Sequence, residues 1–269
     1  MNTKKILLVS IALMAIVLWA TAHEFWLQPQ QFILKTGEKT NIQILVGENF
    51  TGEKWPDTKD KIVKLTHYAV GQTDDFLSFV PSSDPKRLHQ VTFDKPGNHL
   101  IAFNNKNKFI KLEASKFNEY LQTDGLNEAA RLRKERKETQ KEGREFYQRC
   151  VKTLLQVGDI HDDTYKINTG MMLELIPEKN PYVLTPNQTE TFTVLFNSKP
   201  LSNALVLVWH HQQGKTTLNK LRSNVKGQIQ FKVFPQGRWM ISVVHMVPFT
   251  QTAEADWQSY WGSYTFGFY

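Results

Sequence analysis

The chain has 269 residues, 33 basic and 26 acidic side chains and a formal charge of +7. So small an excess, spread through mixed-sign sequence, argues against sequence-specific nucleic-acid binding. One cysteine, Cys150, excludes an internal disulfide, so stability has to come from burial and hydrogen bonding.

The chain opens with Lys4 and Lys5, an uncharged apolar run Ile6 to Trp19, and the small residues Ala20-Thr21-Ala22 before a polar His-Glu pair. That is the three-part layout of a cleavable export signal over 1–22, and the apolar run is short for a bilayer span, which needs about 20 residues. The expected product is periplasmic or secreted and begins at His23. No cysteine follows the small residues, so no lipid anchor is expected. Lys4 and Lys5 leave with the signal and no acid does, which reduces the charge to +5. The two Asn-x-Thr acceptor patterns, at Asn49 and Asn187, have meaning only in a eukaryotic secretory route.

From His23 to Leu112, short apolar stretches alternate with turn signals. Ile42, Ile44 and Val46 repeat at period two, as do Val63 and Leu65, and Val91 and Phe93 run into a Lys95-Pro96-Gly97-Asn98 turn. This predicts an N-terminal β-sandwich domain over 23–112. Between 113 and 160 helix formers and charges of both signs dominate. Ser115 is the expected N-cap, Gly125 and Gly158 the expected stops, and Phe146, Cys150 or Val151, and Leu154-Leu155 the buried stripe of a helical insert. Arg131 to Lys141 read as a solvated face.

The β pattern returns over 161–269. Met171 to Pro177, Phe192 to Phe196, Ala204 to Trp209, Ile229 to Phe234 and Trp239 to Val247 read as five strands with short turns between them. The expected fold class is therefore mainly β: two β-sandwich domains of immunoglobulin or prealbumin type with a helical insert between them. The aromatic segment holding Trp257, Tyr260, Trp261 and Tyr264 is either a ligand platform or, the preferred reading, a terminal piece packed on the body. No P-loop, dinucleotide fingerprint, nucleophile elbow or zincin motif is present.

Cleavage after Ala22 would give His23 a free α-amine, and an N-terminal histidine chelates a metal through that amine and its own Nδ1. Near neutral pH few protons compete for the pair, since the amine titrates at about 7.7–8.0 and imidazole at about 6.5. His245 is the candidate second ligand. It ends the row Trp239, Ile241, Val243, and a histidine there is either a satisfied core residue or a ligand. His210 and His211 point to opposite faces, and His67, His89, His99 and His161 show no supporting pattern. Cys150 reads as a small buried hydrophobe.

Several segments together resemble a known group: His23-Glu24-Phe25-Trp26-Leu27-Gln28-Pro29, Phe117-x-x-Tyr120-Leu121 with Gly125-Leu126, Tyr147-x-x-Cys150-x-Lys152-x-Leu154, Lys199-Pro200-Leu201 with Ala204-x-Val206, Gly237-x-Trp239 with Val244-His245-Met246, and Ala255-Asp256-Trp257-x-Ser259-Tyr260-Trp261. The group is an exported bacterial domain-of-unknown-function family whose members are often labelled as the periplasmic component of nickel or cobalt uptake (NikM/CbiK-like). The resemblance spans essentially the whole mature chain. It implies two β parts with a helical insert and a divalent-metal role for His23 and His245. Gln28 stands where the group commonly has an acid, and Cys150 where it has an aromatic.

The resulting expectation is a periplasmic protein, not an enzyme, that captures Ni²⁺, Co²⁺ or Cu²⁺ and delivers it to a membrane importer or buffers it. The alternatives are a copper oxidoreductase built on an N-terminal histidine brace, and a metal-free exported module that binds a protein or glycan.

Overall fold

The computed structural model describes residues 24–269; the segment read as an export signal and His23 lie outside the described residues. In chain order the strands are β1 (Glu24–Pro29), β2 (Ile33–Leu34), β3 (Lys39–Glu48), β4 (Thr51–Lys54), β5 (Ile62–Ala69), β6 (Gln72–Asp75), β7 (Arg87–Thr92), β8 (Gly97–Asn105) and β9 (Lys108–Leu112). Two helices follow, α1 (Ala114–Thr123) and α2 (Asn127–Glu135). Then come β10 (Gly143–Val157), β11 (Leu173–Pro177), β12 (Gln188–Phe196), β13 (Lys199–Pro200), β14 (Leu205–Gln212), β15 (Lys215–Arg222), β16 (Gln228–Val233), β17 (Arg238–Pro248) and β18 (Trp257–Gly267).

The fold is mainly β, as expected. Its two sandwiches are two outer layers on opposite faces of one shared sheet. That sheet has ten strands in the order β15-β14-β17-β18-β10-β8-β5-β6, with β2 and β9 also paired to β10. One outer layer is β1-β3-β4 with β7 on β3; the other is β11-β12-β13 with β16 on β12. Alternation along β8 sends Ile101 and Phe103 into the core under the first layer and Leu100 and Ala102 into the core under the second. β10 does the same with Val151 and Leu155 against Cys150 and Leu154.

The helical insert expected over 113–160 is helical only at α1 and α2. Gly143–Val157 is instead a fifteen-residue strand at the centre of the shared sheet, parallel to β18 and antiparallel to β8. A strand covered on both faces carries a near-continuous apolar run, which periodicity does not separate from a buried helix. Ser115 lies inside the first turn of α1, whose N-cap is Glu113, while Gly125 at φ +64° does end that helix. The boundaries expected at 112 and 160 do not part the sheets, because β8 and β10 serve both layers.

Helices α1 and α2 cover the part of the shared sheet that β1 leaves open. Phe117, Tyr120, Leu121, Leu126 and Ala129 pack on Met246, Trp257 and Trp261. The terminal aromatic segment is the strand β18, with Trp257, Trp261 and Tyr264 buried in cores. It is structural rather than an exposed platform. Among the described residues no helix is long and apolar enough to cross a membrane.

Candidate functional site

The described chain begins at a polar junction between the first outer layer and the helix pair. In β1, Phe25 and Leu27 enter the first core, whereas Trp26, fully buried, packs with Phe50, Trp209 and Met240 on the other side. Glu24 shares the Trp26 side by strand alternation and is 8 % exposed, its carboxyl taking a hydrogen bond from Ser242 of β17. β10 contributes Glu145 and Arg149, β18 contributes Ser259 and Trp261, α1 contributes Tyr120, and the turn after α1 contributes Asp124.

These groups interlock. The Tyr120 hydroxyl donates to Glu145 Oε1 at 3.2 Å, the Ser259 hydroxyl donates to the same oxygen, and Trp261 Nε1 donates to Ser259 Oγ at 3.0 Å. Tyr120 stacks on Trp261 with ring planes 7° apart, and the Arg149 guanidinium lies 4.5 Å from the Trp261 ring centroid. Asp124 Oδ2 is enclosed without a hydrogen-bond partner.

Three carboxyls thus share the field of Arg149, with Lys220 also acting on Asp124 and Glu48 on Glu24. Burial pushes Glu24 up to about 7, Glu48 adding to the rise while the Ser242 hydrogen bond and Arg149 oppose it. Burial likewise pushes Glu145 up to about 7 against the Ser259 and Tyr120 hydrogen bonds and Arg149. Asp124 rises to about 8 through burial and then the fields of Glu24 and Glu145. The junction therefore retains protons at a pH where ordinary carboxyls have lost them. An added positive charge would be stabilised in the same place.

His245 sits elsewhere. It follows Trp239, Ile241 and Val243 along the face of β17 that enters the second core, while Ser242, which meets Glu24, is on the opposite face. Its ring lies 4.4 Å from that of Phe196, edge to face, beside a recess of about 90 Å³ that Leu126, Leu201 and Ala204 also line. Burial drives its imidazole down to about 4, so it is neutral at physiological pH. The structure thus brings Glu24, not His245, to the acidic junction. Among the described residues, no group of three or more His, Cys, Asp or Glu could hold a metal ion.

A second polar cluster links two histidines that sequence spacing left unconnected. His67 Nδ1 lies 3.1 Å from Asp74 Oδ2, His67 Nε2 lies 2.7 Å from His99 Nδ1, and His99 Nε2 donates to the Lys95 carbonyl at 2.9 Å. Two neutral imidazoles bring two protons to three contacts, so every neutral tautomer pair leaves one lone pair facing another. Burial lowers both rings, His99 to about 4, and Asp74 opposes the fall only at His67. The relay borders a cavity of about 410 Å³ with Phe76, Phe79 and Phe93 among its walls.

Asp124, Glu145 and Arg149 were not singled out from sequence. Had 143–157 been read as a strand, Glu145, Tyr147, Arg149 and Val151 would have stood on one face, a polar row running into a core.

Comparison with known proteins adds a family and little else. No curated protein matches the chain. A solved structure of three N-terminal domains of the bacteriophage RB49 Highly Immunogenic Outer Capsid protein (Hoc) is 11 % identical, with a TM-score of 0.18 over 90 % of this chain. The match spans 59 % of that structure. One family profile matches residues 20–247, from just before the expected cleavage point to the end of the β17 core row. The chain belongs to that family, a domain of unknown function (DUF4198).

Proposed function

We propose that this is an exported protein that binds a late first-row divalent ion, Ni²⁺, Co²⁺ or Cu²⁺, through the amine and imidazole of His23 after signal cleavage. It delivers the ion to a membrane importer or buffers it. One observation supports the reading: the residue that follows His23, Glu24, is 8 % exposed and lies in a cluster with the carboxyls of Glu145 and Asp124, where acidic groups outnumber Arg149 and Lys220. A cation held at the start of the chain would relieve that imbalance.

Nitrogen ligation by an amine and an imidazole suits nickel, cobalt and copper. Loss of the protons that these carboxyls retain would supply negative charge favouring any divalent ion there. Because the described residues lack a three-ligand group of their own, the ion depends on His23. His245, neutral and on the other face of β17, is the weaker part of the expected ligand pair.

Calorimetry with Ni²⁺ and Cu²⁺ near pH 7.5 tests this on two preparations, one beginning at His23 and one carrying a single extra residue before it. Tight binding is expected only for the first, weakening tenfold or more for each unit of pH lowered past the amine and imidazole pKa values. Equal affinities for the two preparations would remove the site.

A further inference from the structure

A second pair of buried ionisable groups lies on the far face of the shared sheet. Lys152 on β10 and Glu174 on β11 are each 1 % exposed and form an ion pair in the core shared by Cys150, Leu154, Leu173 and Leu175. The Lys152 ammonium also donates to the carbonyls of Ile167 at 3.1 Å and Leu175 at 3.3 Å. On the other side of the carboxyl, Glu174 Oε1 accepts from the Thr169 amide at 3.0 Å, the Thr169 hydroxyl at 2.5 Å and the Met171 amide at 2.9 Å. An amine is thus fixed against one carboxyl oxygen while three donors hold the other, in a place without room for bulk water.

We propose that Lys152 and Glu174 condense to an intramolecular isopeptide bond that staples β10 of the shared sheet to β11 of the second outer layer. Condensation requires one proton to pass from Nζ to Oε2, giving a neutral amine beside a carboxylic acid, a pair that costs less to keep in a low-dielectric core than two separate charges. Burial lowers the basicity of Lys152, with Glu174 opposing, in line with that transfer. The Nζ lone pair then adds to Cδ of Glu174, and the negative charge that develops on Oε1 falls on the two amides and the hydroxyl already aimed at it. A second Nζ proton passes to the Oε2 hydroxyl, the Cδ–Oε2 bond breaks, and one water leaves. One C–N bond replaces one C–O bond and nothing is oxidised or reduced.

The surroundings suit the product as well as the reactants. The amide oxygen would keep the three donors of Glu174 Oε1, and the single amide N–H would keep one of the two carbonyls now facing Nζ. Two buried charges vanish, and with them the desolvation cost of an ion pair in an apolar core. The residues that carry this are independent of His23 and of the acidic junction.

Intact-mass measurement on the full purified mature chain decides the matter. The expected mass is one water below that of its sequence, with a tryptic map that recovers positions 152 and 174 in one joined peptide pair. Lys152→Arg and Glu174→Ala should each restore the full mass, and Thr169→Val, which removes one Oε1 donor, should reduce the joined fraction. A wild-type chain of unmodified mass, or one lighter by a water that maps to other positions, overturns the proposal whether or not the variants fold.

Discussion

Glu145 is a carboxyl held in its acid form by where it sits. Its folded pKa is about 7 against an ordinary 4.5, so between those values the folded chain keeps a proton that the unfolded chain has released. Stability therefore falls as pH rises through that window, and the loss is complete above the folded pKa. Glu24 and Asp124 have the same sign, with folded values of about 7 and 8. The metal-free protein should melt at its highest temperature near about pH 5 and progressively lower toward about pH 8. Glu145→Gln, which removes the ionisable group, should flatten that profile and stabilise the protein at the alkaline end by up to about 3 kcal/mol. Thermal melts across the range check both outcomes. A flat wild-type profile would mean that the junction is hydrated or already neutralised. His245 has the opposite sign: its imidazole is depressed to about 4, so its contribution is fully present above the ordinary histidine range and is lost as pH falls through the folded value.

At the scale of elements, β10 decides the architecture. Its residues Cys150, Val151, Leu154 and Leu155 fit a helical stripe as well as they fit a strand buried on both faces, and nothing local chooses between them. The pairings choose: nine residue pairs with β18, from Glu145↔Trp257 to Thr153↔Thr265, and four with β8, from Leu154↔Leu100 to Val157↔Gly97. The misreading also hid the candidate site, since Glu145 and Arg149 line up only when the segment is extended. Gly143, the first residue of β10, is where the helix pair docks. A Cβ there would stand 2.1 Å from Cγ of the Phe117 ring, and Phe117 is fully buried between α1 and Trp257. Gly143→Ala should destabilise the protein by about 1–3 kcal/mol through overpacking. Limited proteolysis should then open the segment 113–142 before the rest of the chain.

At the scale of the whole molecule, the shared sheet makes the two layers one cooperative body. Val151 faces the first layer and Leu154 the second, from the same strand, and both are fully buried. Val151→Ala or Leu154→Ala should each lower a single unfolding transition, the leucine by about 2–5 kcal/mol. Calorimetry that resolved two transitions, only one of which moved, would show that the layers unfold as separate domains.

The expected strands from β11 to β17 were legible because each is a short apolar run bounded by turns of its own: Leu173–Pro177, Gln188–Phe196, Leu205–Gln212, Gln228–Val233 and Arg238–Pro248 lie within a few residues of where the pattern put them. The edge strand β15 escaped notice because nearly all of Lys215–Arg222 is exposed and carries no apolar row. By itself the amino-acid order determined the mainly β class and the break at Gly125. Only the tertiary structure decided that both sandwiches share β8 and β10, and that Glu24, Asp124, Glu145 and Arg149 meet. The physical reason is the same in both cases: a strand's local pattern records how many of its faces are buried, but not which distant segments bury them.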